Sequence, residues 1–354
     1  MRRVLVYRLG SLGDTLVALP ALHLIARAFP NAERRLLTNF PVSSKAPAAA
    51  AVLGDSGLMQ GYERYVAGTR SPLQLLALAW RIRRFRPDAL VYLMAARGTA
   101  AAQRDARFFR LCGITRLIGV PLTDAMQANL LEADGELEPE AARLARNLVE
   151  LGDARLADPA SWDMRLNAAE RAKAAAELAA VQALPLIAVS VGTKVQAKDW
   201  GRDNWRSLLA ELALAYPGHG LVLAGAAEES EASEFAAGGW RGAQGAGPVV
   251  NLCGKLTPRE SAAAFAHASL FIGHDSGPMH LAAAVQTPCV AIFAARNKPR
   301  VWFPFGDRHR VVYHRVDCWG CGLETCTVQR RKCLFSITVQ EVMQAVREVL
   351  PVSR

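Results

Sequence analysis

Four short stretches of this sequence carry residue types that could do chemistry. The first, His274-Asp275-Ser276-Gly277-Pro278-Met279-His280, follows an apolar run and opens the alanine-rich stretch from Leu281 to Ala284. A glycine turn at a helix start leaves backbone N–H groups pointing outward and adds the positive end of the helix dipole, so a pyrophosphate can sit there. Ser276 could add a hydroxyl and His280 a ring nitrogen; equally, Asp275 or Ser276 could simply cap the helix. The second is Gly192-Thr193-Lys194-Val195-Gln196-Ala197-Lys198-Asp199-Trp200, where Lys198 offers a point charge and Thr193 a hydroxyl for a phosphate. The third is Glu228-Glu229 after the apolar run Leu221 to Ala224, where such folds bind a ribose hydroxyl by carboxylate or where acids merely begin a helix. The fourth is Asp14 behind Gly10-Ser11-Leu12-Gly13: a lone carboxylate that could take a proton from a hydroxyl, or cap a helix. That turn is Gly-x-x-Gly and lacks the Gly-x-Gly-x-x-Gly fingerprint of dinucleotide binding, which disfavours an oxidoreductase.

Seven cysteines divide into isolated Cys112, Cys253 and Cys289 in apolar surroundings and a cluster, Cys318, Cys321, Cys326 and Cys333, spaced C-x2-C-x4-C-x6-C. Four thiols this close suggest a structural zinc or iron, or reduced structural thiols, since the second and third gaps match no standard zinc module. Asp-x-Asp is absent from the sequence, so metal-assisted departure of a diphosphate is not indicated. Catalysis is expected to need no cofactor.

The elements that must position these residues alternate. Val4–Tyr7 reads as a buried strand, followed by a helix through Leu16, Leu22 and Phe29 that Pro20 should kink or restart. Residues 89–94 read as a second strand between helical runs 72–85 and 99–111. From about 122 to 170 the sequence turns acidic and loop-like, with Pro139 and Pro159 as breakers. A domain boundary is expected there, dividing the chain into 1–165 and 166–354. A second series follows, with strands at 185–191, 221–224, 249–252, 270–273 and 289–293 and helices between them. Thr257-Pro258-Arg259-Glu260 is a capping box with proline in the first turn. The fold class is therefore α/β, two doubly wound Rossmann-like domains facing a central cleft.

Net charge is +10 over 354 residues. Residues 1–116 hold 18 Lys and Arg against 6 Asp and Glu, so the basic character belongs to the first third. That third is expected to meet something anionic, or to carry arginine-rich solvated helix faces. Nucleic acid is disfavoured, because the aromatics near Arg81 to Arg116 match no single-strand module. The amino terminus lacks a signal-peptide core and no run is long enough to span a bilayer, so a cytoplasmic protein with at most peripheral membrane contact is expected.

Taken together, Leu9-Gly10-Ser11-Leu12-Gly13-Asp14, Lys198-Asp199-Trp200 and Asp275-Ser276-Gly277-Pro278-Met279-His280 resemble glycosyltransferase family 9, the lipopolysaccharide heptosyltransferases. The resemblance covers nearly the whole chain and includes the cysteine run followed by Ile337-Thr338. It implies the GT-B fold and metal-independent, inverting transfer of a sugar, commonly from ADP-heptose, to an anionic glycolipid acceptor at the inner face of the inner membrane. By the same resemblance Asp14 is the catalytic base, and Lys198 and Thr193 contact phosphate. Asp275, Ser276, Gly277 and His280 form the donor loop, Glu228 meets the ribose, and Arg97 contacts the acceptor. Two departures flank the donor loop: Ala294-Ala295-Arg296-Asn297 stands where the family shows Gly-Pro-Thr, and His274 replaces a commoner asparagine. They leave open transfer from another nucleotide sugar.

Overall fold

The computed structural model describes residues 1–40, 49–66, 68–69 and 71–351. The chain separates into two compact units, Met1–Arg165 and Leu166–Arg354.

The first unit is built on five parallel strands, β1 (Arg3–Tyr7), β2 (Glu33–Asn39), β3 (Gly61–Tyr65), β4 (Ala89–Tyr92) and β5 (Arg116–Ile118), in the order β3-β2-β1-β4-β5. Crossover helices cover the sheet, as parallel pairing requires. Pro20 does restart the first helix: Leu12–Val17 ends at Ala18, and Leu19–Ala28 begins with Pro20 in its first turn. Strands β2, β3 and β5 lack the continuous apolar run that marks a buried strand. Their arginines are absorbed instead. Arg34 in β2 is buried because its guanidinium donates to the carbonyls of Phe29, Ala32, Gly57 and Leu58 at 2.8–3.2 Å. Arg35 pairs with Glu33 and Glu63.

The second unit has six parallel strands: β6 (Leu186–Ser190), β7 (Gly220–Leu223), β8 (Val249–Asn251), β9 (Ala268–His274), β10 (Cys289–Phe293) and β11 (Arg310–Tyr313). Their order is β11-β10-β9-β6-β7-β8, so the chain reverses direction across the sheet between β6 and β9. The Thr257–Glu260 capping box forms as the sequence predicts. Trp200, Trp205 and Trp240 are fully buried in the core, and the indole N–H groups of Trp200 and Trp240 donate to Ile337 and Gly247 carbonyls. The carboxyl-terminal helix Val339–Val349 lays its apolar face on β10, β11 and the helix Arg202–Ala215.

The helices Arg202–Ala215 and Ser230–Arg241 approach so closely that a Cβ on Gly239 would lie 2.0 Å from the Arg206 carbonyl oxygen, whereas one on Gly238 would meet only the tip of the Arg206 side chain at 3.9 Å. Gly239→Ala should therefore cost about 1–3 kcal/mol as backbone is pushed apart. Gly238→Ala should add about 0.5–1 kcal/mol through helix propensity. Urea unfolding of the two variants checks the opposite signs. A second prediction concerns His274, fully buried at the end of β9, whose Nε2 accepts the Trp200 N–H at 3.1 Å. Burial pushes its pKa down to about 4 from 6.5. The unfolded chain then binds this proton first, so stability is full above about pH 6.5 and falls as pH drops towards 4, by about 1.4 kcal/mol per pH unit. Unfolding free energies of wild type and His274→Asn between pH 7 and 4 should differ in slope by one proton.

Candidate functional site

In the second unit the predicted residues converge on the reversal point between β6 and β9, where ligands of doubly wound sheets bind. β6 leads into the loop 191–200 and β9 into the helix Gly277–Ala284, and the two loops are tied together. Lys198 Nζ donates to the Asp275 main-chain carbonyl at 2.9 Å and pairs with its carboxylate at 2.7 Å. Asp275 is buried and Lys198 nearly so. The same carboxylate accepts a hydrogen bond from Asn297 Nδ2 at 3.0 Å. His274 and Trp200 add the second tie already described.

Ser276 is the N-cap of the helix Gly277–Ala284, yet its hydroxyl makes no capping hydrogen bond, and its oxygen is buried without a protein partner. With Pro278 in the first turn, the remaining first-turn amides and the Ser276 hydroxyl stand ready for an anion. His280 lies in the same turn and is buried. Thr193 is turned locally: its hydroxyl accepts from the Val195 N–H at 3.3 Å, which shapes the loop before Lys198.

Of the two adjacent acids, the structure brings in Glu229. Its carboxylate accepts the Ala226 N–H at 2.8 Å and lies where a Cβ on Gly192 or Gly225 would come within 2.0 or 2.4 Å of it. Burial raises its pKa, and the neighbouring Glu228 adds to the rise. Glu228, the residue favoured from sequence, is exposed on the outer side of this turn. Two glycines at the strand ends were the signal for Glu229, since both leave space for the same side chain.

The cysteine segment braces the loop after β6 and the loop after β10. The Ala197 N–H donates to the Glu324 carbonyl, the Cys326 N–H to the Gln196 side chain, and Arg331 to the main-chain carbonyl and the carboxylate of Asp199. On the other side Gly320 and Gly322 donate to the Ala295 and Arg296 carbonyls, and Arg296 returns two bonds to Gly322 and Leu323. All four cysteines are free thiols. The Arg331 N–H, at 3.1 Å from Cys326 Sγ, draws that thiol's pKa down, while burial pushes Cys333 up. Among the described residues no three His, Cys, Asp or Glu side chains are disposed to hold one metal ion. Cys318, Cys321 and Cys326 all lie near enough to Cys333 to help raise its pKa, so the four thiols gather, and no chemistry is derived through a metal there.

In the first unit the corresponding reversal lies between β1 and β4. Asp14 is the third residue of the helix Leu12–Val17, and its Oδ2 accepts from the Ser11 N–H at 2.7 Å and hydroxyl at 2.8 Å. The capping reading is thus correct for one oxygen. The other, Oδ1, faces the Arg8 guanidinium at 3.7 Å, and the side chain retains 24% exposure. Gly10 has no substitute here: at φ +149° a Cβ would fall 2.4 Å from Asp14 Cβ. Arg8 is buried and donates to the Asp14 carbonyl twice and to the Leu93 carbonyl at 2.6 Å, linking the turn after β1 to the loop after β4. Sequence reading passed over Arg8, although an arginine directly behind an all-apolar strand is a signal of a buried, carbonyl-bound charge. Arg143, also buried, pairs with Glu140 and donates to the Met94 carbonyl. Arg97 is not a free cation: its guanidinium is bonded to Asp105 and, at 3.1 Å, to the Tyr92 hydroxyl.

A family model described as glycosyltransferase family 9 (heptosyltransferase) matches residues 142–331, more than half of the chain. Lipooligosaccharide heptosyltransferase 2 of Campylobacter jejuni is 30% identical over 102 residues, 29% of this chain and 32% of that protein. The match thus spans about a third of the length of that curated relative. Among solved structures, a family 9 glycosyl transferase from Veillonella parvula superposes with a TM-score of 0.73 at 17% identity, over 99% of this chain and 98% of that one. The Escherichia coli heptosyltransferase WaaC with ADP-2-deoxy-2-fluoro heptose gives 0.60 at 18% identity, over 98% and 99%. The two Rossmann-like sheets are those of the GT-B fold, and the chain belongs to glycosyltransferase family 9.

Proposed function

We propose that this protein is an inverting, metal-independent glycosyltransferase that moves heptose from ADP-heptose to a hydroxyl of a lipopolysaccharide core or related anionic envelope glycan. The observation that carries the reading is the anion cradle at the β6/β9 reversal. A nearly buried lysine tied to Asp275, the unengaged hydroxyl of the adjoining Ser276 and a helix start lie together there. The family's relatives supply the sugar: one was solved with an ADP-heptose analogue, and the matched curated relative is a heptosyltransferase.

The chemistry divides between the units. In the second, the diphosphate of the donor lies on the amides of Gly277 and Met279, with Ser276 and Lys198 as further donors and Glu229 on the ribose. As the acceptor oxygen bonds to the anomeric carbon, the bond from that carbon to the phosphate oxygen breaks, and its electron pair leaves with ADP. Lys198 and the oriented amides stabilise the charge that develops on the leaving group. Asp275 holds Lys198 in place and is a positioning residue. In the first unit Asp14 Oδ1 takes the acceptor's proton, while Ser11 and Arg8 fix the carboxylate. Attack opposite the leaving group with one base inverts the anomeric centre. Arg97 belongs to the acceptor side, reaching an acceptor phosphate at the expense of its bond to Asp105.

Incubation with a panel of ADP-, UDP- and GDP-sugars and a heptose-deficient lipopolysaccharide core should give turnover with ADP-heptose. Turnover with another nucleotide sugar alone would overturn the donor assignment. Chelation of divalent ions should leave the rate unchanged. Asp14→Asn should lower kcat by about 10²–10⁴ with ADP affinity kept, and unchanged turnover would remove the base assignment. Lys198→Ala should cost about 10²–10³ in kcat and also weaken ADP binding, which isothermal titration reads directly.

A further inference from the structure

The helix Pro72–Phe85 has two apolar faces, and only one is covered. Leu78, Ile82 and Phe85 face the core of the first unit and are buried. On the opposite side Leu73, Leu76, Ala77 and Trp80 are exposed at the spacing that places them in a single stripe, and the same stripe ends in Arg83 and Arg84. The apolar side chains are not marginally exposed: Leu73 stands at 78%, Leu76 at 65% and Trp80 at 60%. Leu111, at 73%, joins them from the end of the neighbouring helix Thr99–Leu111, tied there by the Arg83 guanidinium on its carbonyl. A contiguous patch of leucine and tryptophan on one outer face marks a contact surface.

Charge says what it contacts. Residues 72–116 hold nine arginines and only two acids, Asp88 and Asp105. Both acids are already engaged, Asp88 by the Arg2 and Arg3 amides and Asp105 by Arg97. Arg84 lies with its guanidinium 5.4 Å from the Trp80 ring, and Arg86, Arg104, Arg107 and Arg110 are exposed around the patch. We propose that the face formed by the helices 72–85 and 99–111 docks on an anionic lipid bilayer, with Leu73, Leu76, Trp80 and Leu111 at the acyl boundary and the arginines on lipid phosphates. Tryptophan and leucine beside a rim of arginine match the layering of a bilayer surface, apolar below and phosphate above. Nucleic acid has the phosphate but offers nothing to three exposed leucines. A second copy of the chain pairing through this face would set arginine against arginine. The proposal stands apart from the catalytic reading, because it uses no residue of the donor cradle or the Asp14 turn.

Co-sedimentation of the full chain with vesicles of phosphatidylethanolamine, alone or with about 30% phosphatidylglycerol, tests it. The wild type should pellet with the anionic vesicles at low salt and be released at high salt. Leu76→Asp with Trp80→Asp should lose at least about tenfold in apparent affinity. Arg83→Glu with Arg84→Glu should lose a similar factor and much of the salt dependence. Leu76, Trp80 and Arg84 are exposed and Arg83 gives up only its bond to the Leu111 carbonyl, so both variants should melt close to the wild type, and the charge-reversal pair serves should the first pair fold poorly. Absence of pelleting at low salt, or equal affinity in wild type and both variants, would overturn the proposal. So would RNA binding that the Leu76 and Trp80 changes leave untouched in a chain that ignores vesicles.

Discussion

The ion pair between Lys198 and Asp275 is the constraint on which the second unit's site depends. Two charges withdrawn from water attract strongly, but the desolvation of each opposes the gain, so such a pair contributes little net stability. Breaking it by removing one partner strands the other. Its value is therefore geometric. Lys198 arrives from the loop after β6 and Asp275 from the loop after β9, and the ammonium is bonded to both the carboxylate and the main-chain carbonyl of the same residue. A lysine held at two points is a fixed charge. A free surface lysine would lose rotamer entropy on meeting a diphosphate, and this one has already lost it.

That fixed point is supported in layers. Asn297 steadies Asp275, Arg331 steadies Asp199 beside Lys198, and the cysteine segment joins the loop after β6 to the loop after β10 by hydrogen bonds. The first unit repeats the device with other residues. Arg8 reaches from β1 to the turn carrying Asp14 and to the carbonyl after β4, so that the carboxylate is oriented by a buried guanidinium and by its own helix start. In each unit a cation joins the two loops that flank the reversal of strand order, just beyond the ends of the paired strands.

Much of this was legible in the sequence because the governing signals are local. Apolar runs gave β1, β4, β6, β7, β8, β9 and β10, and Thr257 with Glu260 gave a helix start, since short-range sterics and capping decide them. Asp14, Lys198, Asp275 and Ser276 could be singled out because glycine turns after strands are where backbone amides go free. The strands β2, β3, β5 and β11 were not legible. Each carries arginine, and whether an arginine ends a strand or is folded into it depends on carbonyls distant in sequence, as for Arg34. That Glu229 rather than Glu228 turns inward was not legible for a similar reason. Which of two adjacent acids turns inward depends on Gly192, far back along the chain, leaving room for it. Arg97 was legible in place but not in state, because its tie to Asp105 joins a loop to the helix that follows.

Arginine content shows how far a net charge can be interpreted. The basic first third suggested a single anionic partner, yet its arginines fall into separate physical classes. Arg8 and Arg34 are interior braces that donate to carbonyls, and their charge is spent inside the fold. Arg35 and Arg97 are neutralised by nearby acids. Among the described residues, the exposed set on the helices 72–85 and 99–111 borders uncovered leucine and tryptophan, and Arg3 lines the same hollow beside Trp80. Burial thus turns a diffuse excess of positive charge into one oriented surface. The arginines most deeply engaged with the candidate catalytic turn are not the ones that face outward, so the two tasks can change independently.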